Sequence, residues 1–262
     1  MARVFAVINQ KGGVGKTTTT ANVGHALARD GLNTAVVDLD PQGQLSACLG
    51  LHQPRSGGVD HVLQGSATFL EAATEVRPNL LLLPAGSSLG DLERSEGGVE
   101  RAYLLRNALR DCAEDLDCVV LDCPPSAGLL TINAVAGADD VLIPMAGDYL
   151  SLTGLARLMV DLKRLQALRE SSLRSWIFFN RFVPRRRLAQ EVYDKVARHF
   201  PHNLLETTIN EAAVLAECAG AGKTIFEYSA KSRSAYAFRA LTDDLRNGRV
   251  VGNEKETTSH VA

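Results

Sequence analysis

The chain has 262 residues, with 28 Lys and Arg against 30 Asp and Glu and a formal charge of −2. At 45% hydrophobic and 22% charged it has the composition of an ordinary soluble globular protein, which excludes disordered, collagen-like and coiled-coil classes. Its five cysteines, at positions 48, 112, 118, 123 and 218, form no CxxC pair, so they read as reduced thiols and not as a disulfide framework or a zinc site.

In chain order, the apolar run from Val4 to Ile8 is too short for a signal-peptide core and reads as a first buried strand. No stretch approaches the ~20 apolar residues of a membrane span, so a cytoplasmic protein is expected. Next come Asn9-Gln-Lys-Gly-Gly-Val-Gly-Lys-Thr-Thr18 and a helix over Thr17–Arg29, stopped by Gly31. Strand, glycine loop, Lys-Thr and helix is the order a phosphate-binding loop requires. Gly12, Gly13 and Gly15 let the backbone curl its N–H groups toward phosphate oxygens, and the helix aims its positive end at the same anion. Lys16 would reach the β- and γ-phosphates, and the Thr17 hydroxyl would ligate Mg²⁺. The strict G-x-x-x-x-G-K-[ST] pattern fails only at its first position, which is Gln10.

Five further apolar runs read as strands: Thr34–Val37, Leu80–Leu83, Val119–Leu121, Val141–Ile143 and Trp176–Phe179. They are continuous more than alternating, as strands buried on both faces are. Helical periodicity marks Glu100–Cys112, Leu129–Ala136, Ser151–Arg169, Leu188–His199 and Ser234–Leu245. The fold class is therefore α/β, a single doubly wound, mostly parallel sheet with helices on both faces. Residues 53–58 and 86–98 read as surface loops, residues 1–250 as one domain and 251–262 as a disordered tail. Asp38 and Asp40 close the second strand and Asp122 closes the strand before Pro124-Pro125, at the sheet edge where such folds bind ligands. Asp122 is placed to hold Mg²⁺. A carboxylate is a poor base at neutral pH, so Asp40 is assigned to orienting the attacking water.

Lys11, a second lysine before Lys16, changes the character of the loop. The segments Asn9 to Thr19, Val36-Val-Asp-Leu-Asp-Pro-Gln-Gly43 and Val119-Val-Leu-Asp-Cys-Pro-Pro-Ser126 resemble, in order, the motifs of the ParA/MinD family of deviant Walker A ATPases, and its ParA (Soj-like) branch in particular. Gly222-Lys-Thr-Ile-Phe-Glu-Tyr228 and Lys231-Ser-Arg-Ser-Ala-Tyr236 are similar to the family's C-terminal region, so the resemblance spans residues 3 to about 245. It implies a P-loop NTPase fold whose cofactors are ATP and Mg²⁺, with Lys11, Gly12, Gly13, Val14, Gly15, Lys16, Thr17 and Thr18 around the nucleotide. It also implies that Lys11 crosses the interface of an ATP-bound homodimer, that Asp40 is the hydrolysis residue and that Asp38 lies near the metal shell with Thr17 and Asp122. Related P-loop proteins place a polar residue such as Asn180 at the adenine edge. Ile209-Asn210 departs from the Ile-Pro step common in the family.

Charge is unevenly distributed. Residues 1–150 carry 10 basic and 18 acidic side chains, residues 151–262 carry 18 and 12, and the segment 157–198 alone has 11 against 4. That basic excess, with the resemblance, implies an ATP-bound dimer that grips nucleoid DNA without sequence preference and positions a cargo, reset by a ParB-like or cargo-adaptor protein. Arg185, Arg186, Arg187 and Arg233 are the candidate DNA contacts; Arg239, like Arg233, could instead pair with Asp243 or Asp244. A MinD-like membrane ATPase would need a C-terminal amphipathic helix, for which few aliphatic residues follow Leu245, so no membrane partner is expected. A redox enzyme would need more than the Cys118 and Cys123 pair, and a metabolic ligase would need an acceptor site.

Overall fold

A computed structural model describes residues 2–52, 57–94, 98–112, 114–167, 169 and 171–252. Seven strands form one sheet: β1 (Arg3–Val7), β2 (Thr34–Asp38), β3 (Thr74–Arg77), β4 (Leu80–Leu83), β5 (Cys118–Asp122), β6 (Asp140–Met145) and β7 (Arg174–Phe179), in the order β3-β4-β2-β5-β1-β6-β7. Every pairing is parallel except that of the edge strand β3 with β4. All six expected strands are present. β3, Thr-Glu-Val-Arg, escapes an apolar-run reading because an edge strand has only one neighbour and tolerates polar residues.

The strands' alternation sorts the core into two layers. Val4, Ala6 and Ile8 face the layer of α3 (Val59–Leu63), α4 (Phe69–Ala72), α5 (Leu89–Arg94), α6 (Leu104–Asp111), α7 (Leu129–Gly137), α8 (Tyr149–Gln166) and α9 (Arg187–His199), whereas Phe5 and Val7 face the other. That second layer holds α1 (Lys16–Arg29), α2 (Gln44–Cys48), α10 (Ala213–Gly220), α11 (Ile225–Tyr228) and α12 (Arg233–Asn247). On β2 and β5 the same parity sends Val36 and Val120 toward α1. Asp38 and Asp122, two residues further on, share that face. α1 lies close to the sheet because Gly24 has no side chain: a Cβ there would stand 2.3 Å from Val36 Cγ1.

Several boundaries differ from expectation. The segment 86–98 contains α5, which buries Leu89 completely and leaves Asp91 and Arg94 paired in solvent. α8 begins at Tyr149, not Ser151, because Asp148 caps it by accepting the Ser151 N–H. Residues 99–103 form a 3₁₀ turn ahead of α6. Val251 and Gly252, placed in the tail from sequence, donate backbone N–H groups to Leu204 O and Pro201 O. Residues 53–56, 95–97 and 253–262, read as loop or tail, lie outside the described residues.

α1 is joined to the C-terminal layer by a buried polar contact. His25 Nδ1 lies 2.6 Å from Thr224 Oγ1, and Thr224 with Glu227 forms the capping box of α11. Burial lowers the His25 pKa from 6.5 to about 4, overriding the pull of nearby Glu227. Its folded pKa lies below its unfolded one, so its stabilising contribution is complete above pH 6.5 and lost as pH falls toward 4. Urea unfolding across that window should show stability dropping by roughly 2 kcal/mol from this group, and His25→Asn should flatten the slope.

Candidate functional site

The loop between β1 and α1 is built to leave backbone donors free. Gly13 and Gly15 adopt left-handed conformations, with φ of 74° and 88°. Gly15 is the N-cap of α1 and offers no side chain, so the first-turn N–H groups of Lys16, Thr17 and Thr18 have no capping partner from it. The loop is held from outside. Asn9 donates from Nδ2 to Pro144 O at 2.8 Å and accepts the Lys11 N–H at 2.9 Å. Asn180 donates to Val14 O at 2.7 Å, and a Cβ on Gly15 would meet the same amide nitrogen at 2.3 Å. Its carbonyl oxygen accepts the Arg181 N–H at 3.0 Å. Asn180, assigned from sequence to the adenine edge, thus also ties the end of β7 to the phosphate loop through its amide nitrogen.

The three aspartates separate by partner. Asp38 and Asp122 are register partners on β2 and β5, so two buried carboxylates stand side by side. Asp38 Oδ1 accepts the Asp40 N–H and Oδ2 accepts the Leu45 N–H, both at 3.0 Å. Both oxygens accept backbone N–H groups that turn the chain from β2 into α2. Burial first, and then the Asp122 charge, hold its carboxyl well above the usual range. Asp122 has Thr20 Oγ1 at 3.4 Å from Oδ1, and the Thr17 hydroxyl is near enough to favour its charged form. Its Oδ2 is buried with no partner among the described residues. Burial raises Asp122 to about 7, with Thr17 and Lys16 opposing the rise. An orphaned, desolvated carboxylate oxygen beside a threonine hydroxyl is a donor set suited to a hard divalent cation completed by ligand oxygens and water. Asp40 is half-exposed on the loop beyond, its Oδ1 accepting the Gln42 N–H at 3.0 Å.

The two lysines differ just as clearly. Lys16 is buried, its ammonium 3.5 Å from Lys11 O; desolvation lowers its pKa although Asp122 and Asp40 pull the other way. Lys11 is turned away from the loop, its Nζ 2.6 Å from Asp148 Oδ2 and 3.2 Å from Ser151 Oγ at the start of α8. Asp148 escaped the sequence reading, although an Asp directly before an apolar-periodic run is an N-cap signal. Arg181 escaped it as well. A non-glycine residue at φ 51°, it donates to Gly13 O at 3.2 Å and pairs with Glu211 at 2.9 Å. Such a conformation carries strain and tends to persist where surrounding contacts impose it. Lys11, Gly13, Asp148, Arg181, Arg186 and Glu211 line one cavity of about 280 Å³.

The basic segment is less basic in space than in sequence. Arg169 donates to Val135 O and Ala138 O at the end of α7, Arg174 pairs with buried Asp140, and Arg164 pairs with Asp161. Arg187 pairs with Glu191, leaving Arg185 and Arg186 exposed without an ion pair among the described residues. Arg233 is exposed at the start of α12, and Arg239 faces Asp30, not Asp243 or Asp244. Cys118 and Cys123 lie at opposite ends of β5 on different faces, and no group of three His, Cys, Asp or Glu able to hold a metal occurs among the described residues. No described helix is long and apolar enough to cross a membrane.

An AAA domain family model matches residues 2–175. The chromosome partitioning protein ParA of Myxococcus xanthus is 36% identical over 251 residues, covering 94% of this chain and 88% of its own. The chromosome-partitioning ATPase Soj of Thermus thermophilus is 39% identical over 244 residues, covering 93% and 95%. Among solved structures, a cobyrinic acid a,c-diamide synthase from Mycobacterium smegmatis with bound ATP analog and magnesium superimposes with a TM-score of 0.79 at 32% identity, over 94% of this chain and 95% of that one. Carrying the two-lysine loop on this sheet and matched along nearly its whole length, the chain belongs to the ParA/MinD family of P-loop ATPases, on its Soj-like branch.

Proposed function

We propose that the chain is a ParA-type positioning ATPase of the cytoplasm and nucleoid. It binds ATP with Mg²⁺, closes into a homodimer around the nucleotide, and grips DNA without sequence preference. A ParB-like or cargo-adaptor partner stimulates hydrolysis and resets it, so that a plasmid, chromosome origin or protein assembly is moved or spaced. The observation that carries this reading is the pairing of an uncapped glycine loop with the unpartnered Asp122 oxygen across from Thr17 and Lys16. In this reading the loop N–H groups and Lys16 hold the phosphates, while Thr17 and Asp122 hold the metal, which when bound neutralises charge on the phosphate oxygens. Asp40, at the rim, orients water, and Lys11 leaves Asp148 to reach the partner subunit's nucleotide.

The Mycobacterium neighbour's name suggests a second reading, an ATP-dependent amidation of a carboxylic acid. A ligase would hydrolyse ATP only when its acid and nitrogen donor are present. Steady turnover without either, accelerated by DNA, separates the two readings.

Four outcomes are expected. Lys16→Ala should abolish Mg²⁺-ATP binding in calorimetry without unfolding the chain, because removing a desolvated ammonium relieves a burial cost. Lys11→Ala should bind ATP yet neither dimerise nor hydrolyse. Asp40→Ala should bind, dimerise and stall, with light scattering reporting assembly and turnover falling by roughly 10³-fold or more. Neutralising Arg185 and Arg186 should remove ATP-dependent duplex binding and flatten its salt dependence while leaving basal turnover intact, whereas neutralising Arg187, already paired, should matter less. Equal DNA affinity with ATP and with ADP would overturn the DNA part of the proposal.

A further inference from the structure

A second concentration of charge lies at the opposite end of the sheet, where β1 and β6 begin. A cavity of about 330 Å³ opens there beside α6 and the end of α7. Four arginines line it, Arg3, Arg106, Arg110 and Arg169, against one carboxylate, Asp139. Arg3 is already neutralised by Asp140 at 2.7 Å, and one Asp139 oxygen is taken by the Val4 N–H at 2.8 Å. Arg106 and Arg110 have no ion pair among the described residues; Arg106 only overlies the Tyr103 ring, 5.9 Å from its centroid. The lining is therefore left with an excess of positive charge.

A structural duty explains part of this. α7 has no basic residue in its last turn, and Arg169 supplies the missing donors: one terminal nitrogen bonds Val135 O and the other bonds Ala138 O at 2.6 Å and Ser171 Oγ at 3.0 Å. Its third nitrogen, Nε, is buried with no partner among the described residues. An unmet buried donor costs about 1–3 kcal/mol. Burial, and then the Arg106 charge, lower the Arg169 pKa. Helix capping accounts for neither that donor nor the convergence of Arg106 and Arg110, which stand one turn apart on α6. Solvated arginines spread over convex surfaces, whereas these groups from separate segments share a concavity. Guanidinium groups match phosphate oxygens in charge and fork geometry.

We propose that this cavity is a second anion site, taking a small phosphate-bearing ligand between Arg106, Arg110 and Arg169. It stands apart from the nucleotide site, being separated from it by the length of β1, about 17 Å.

The test is calorimetry on the full chain carrying Lys16→Ala, so that the phosphate loop does not compete. Pyrophosphate and AMP are titrated separately at low salt. Saturable one-to-one binding is expected, weakened roughly tenfold or more by each of Arg106→Ala and Arg110→Ala and partly restored by lysine at either position. The tighter of the two probes tells whether inorganic or esterified phosphate is the source. Both arginines are on the surface of α6, and thermal melts check that the variants fold; any alanine variant that melts early is replaced by its glutamine counterpart, which keeps length and polarity without the charge, and the same loss of binding is expected of it. No binding of either anion, affinity unchanged in the double variant, or an effect of these substitutions on duplex DNA alone would overturn the proposal.

Discussion

The site depends on carboxylates placed where their surroundings resist charge. Asp38 and Asp122 are register partners at the ends of adjacent central strands, under α1, where both are buried. Placing two anions together without water is unfavourable, and the chain resolves this unequally. Asp38 is satisfied by two backbone N–H groups from the segment that leads to α2. Asp122 keeps an oxygen with no partner, and Lys16 is desolvated beside it. A buried acceptor left open at a ligand-binding edge is costly until a cation or a proton meets it, so the cost in the isolated chain and the affinity proposed for the site are two aspects of one arrangement.

Strand parity makes this arrangement possible. Because side chains alternate, the even-numbered positions of β2 and β5 point toward α1 while the odd-numbered ones fill the opposite layer. Shifting either strand by one residue would turn its aspartate away from the phosphate loop. Gly24 serves the same geometry, since only a residue without a side chain lets α1 approach Val36 so closely. The hydrophobic core and the chemistry are in this sense specified together.

Most of the sheet was legible in the sequence because strands buried on both faces are written as unbroken apolar runs, and the phosphate loop because its glycines, Lys16 and Thr17 act through local geometry. What escaped was decided by partners distant in the chain. β3 is polar because it is an edge, and α5 is too short for its period to stand out. That Asn180 buttresses the phosphate loop was not legible, because nothing in its neighbourhood reveals that Val14, 166 residues away, takes its amide. The basic excess over 157–198 is less available than its count for the same reason: Arg174 pairs with Asp140 on β6 and Arg169 is directed at carbonyl oxygens at the end of α7, which charge counting along the chain cannot see.

Lys11 shows how such a partner can be provisional. Its contact with Asp148 is short, but the two side chains retain 36% and 38% of their exposure. Pairs so well solvated contribute about 0–1 kcal/mol. Asp148 therefore orients Lys11 without fixing it: the carboxylate keeps the side chain off the loop and beside the N-terminus of α8, and the cost of leaving is small. A phosphate group presents more charge and more acceptors than one carboxylate, and a second subunit closing over the loop would exclude the water that weakens the internal pair. The balance tips toward the phosphate only when both changes occur together. In the proposed dimer, that would make the lysine responsive to a nucleotide and a partner jointly, and to neither alone.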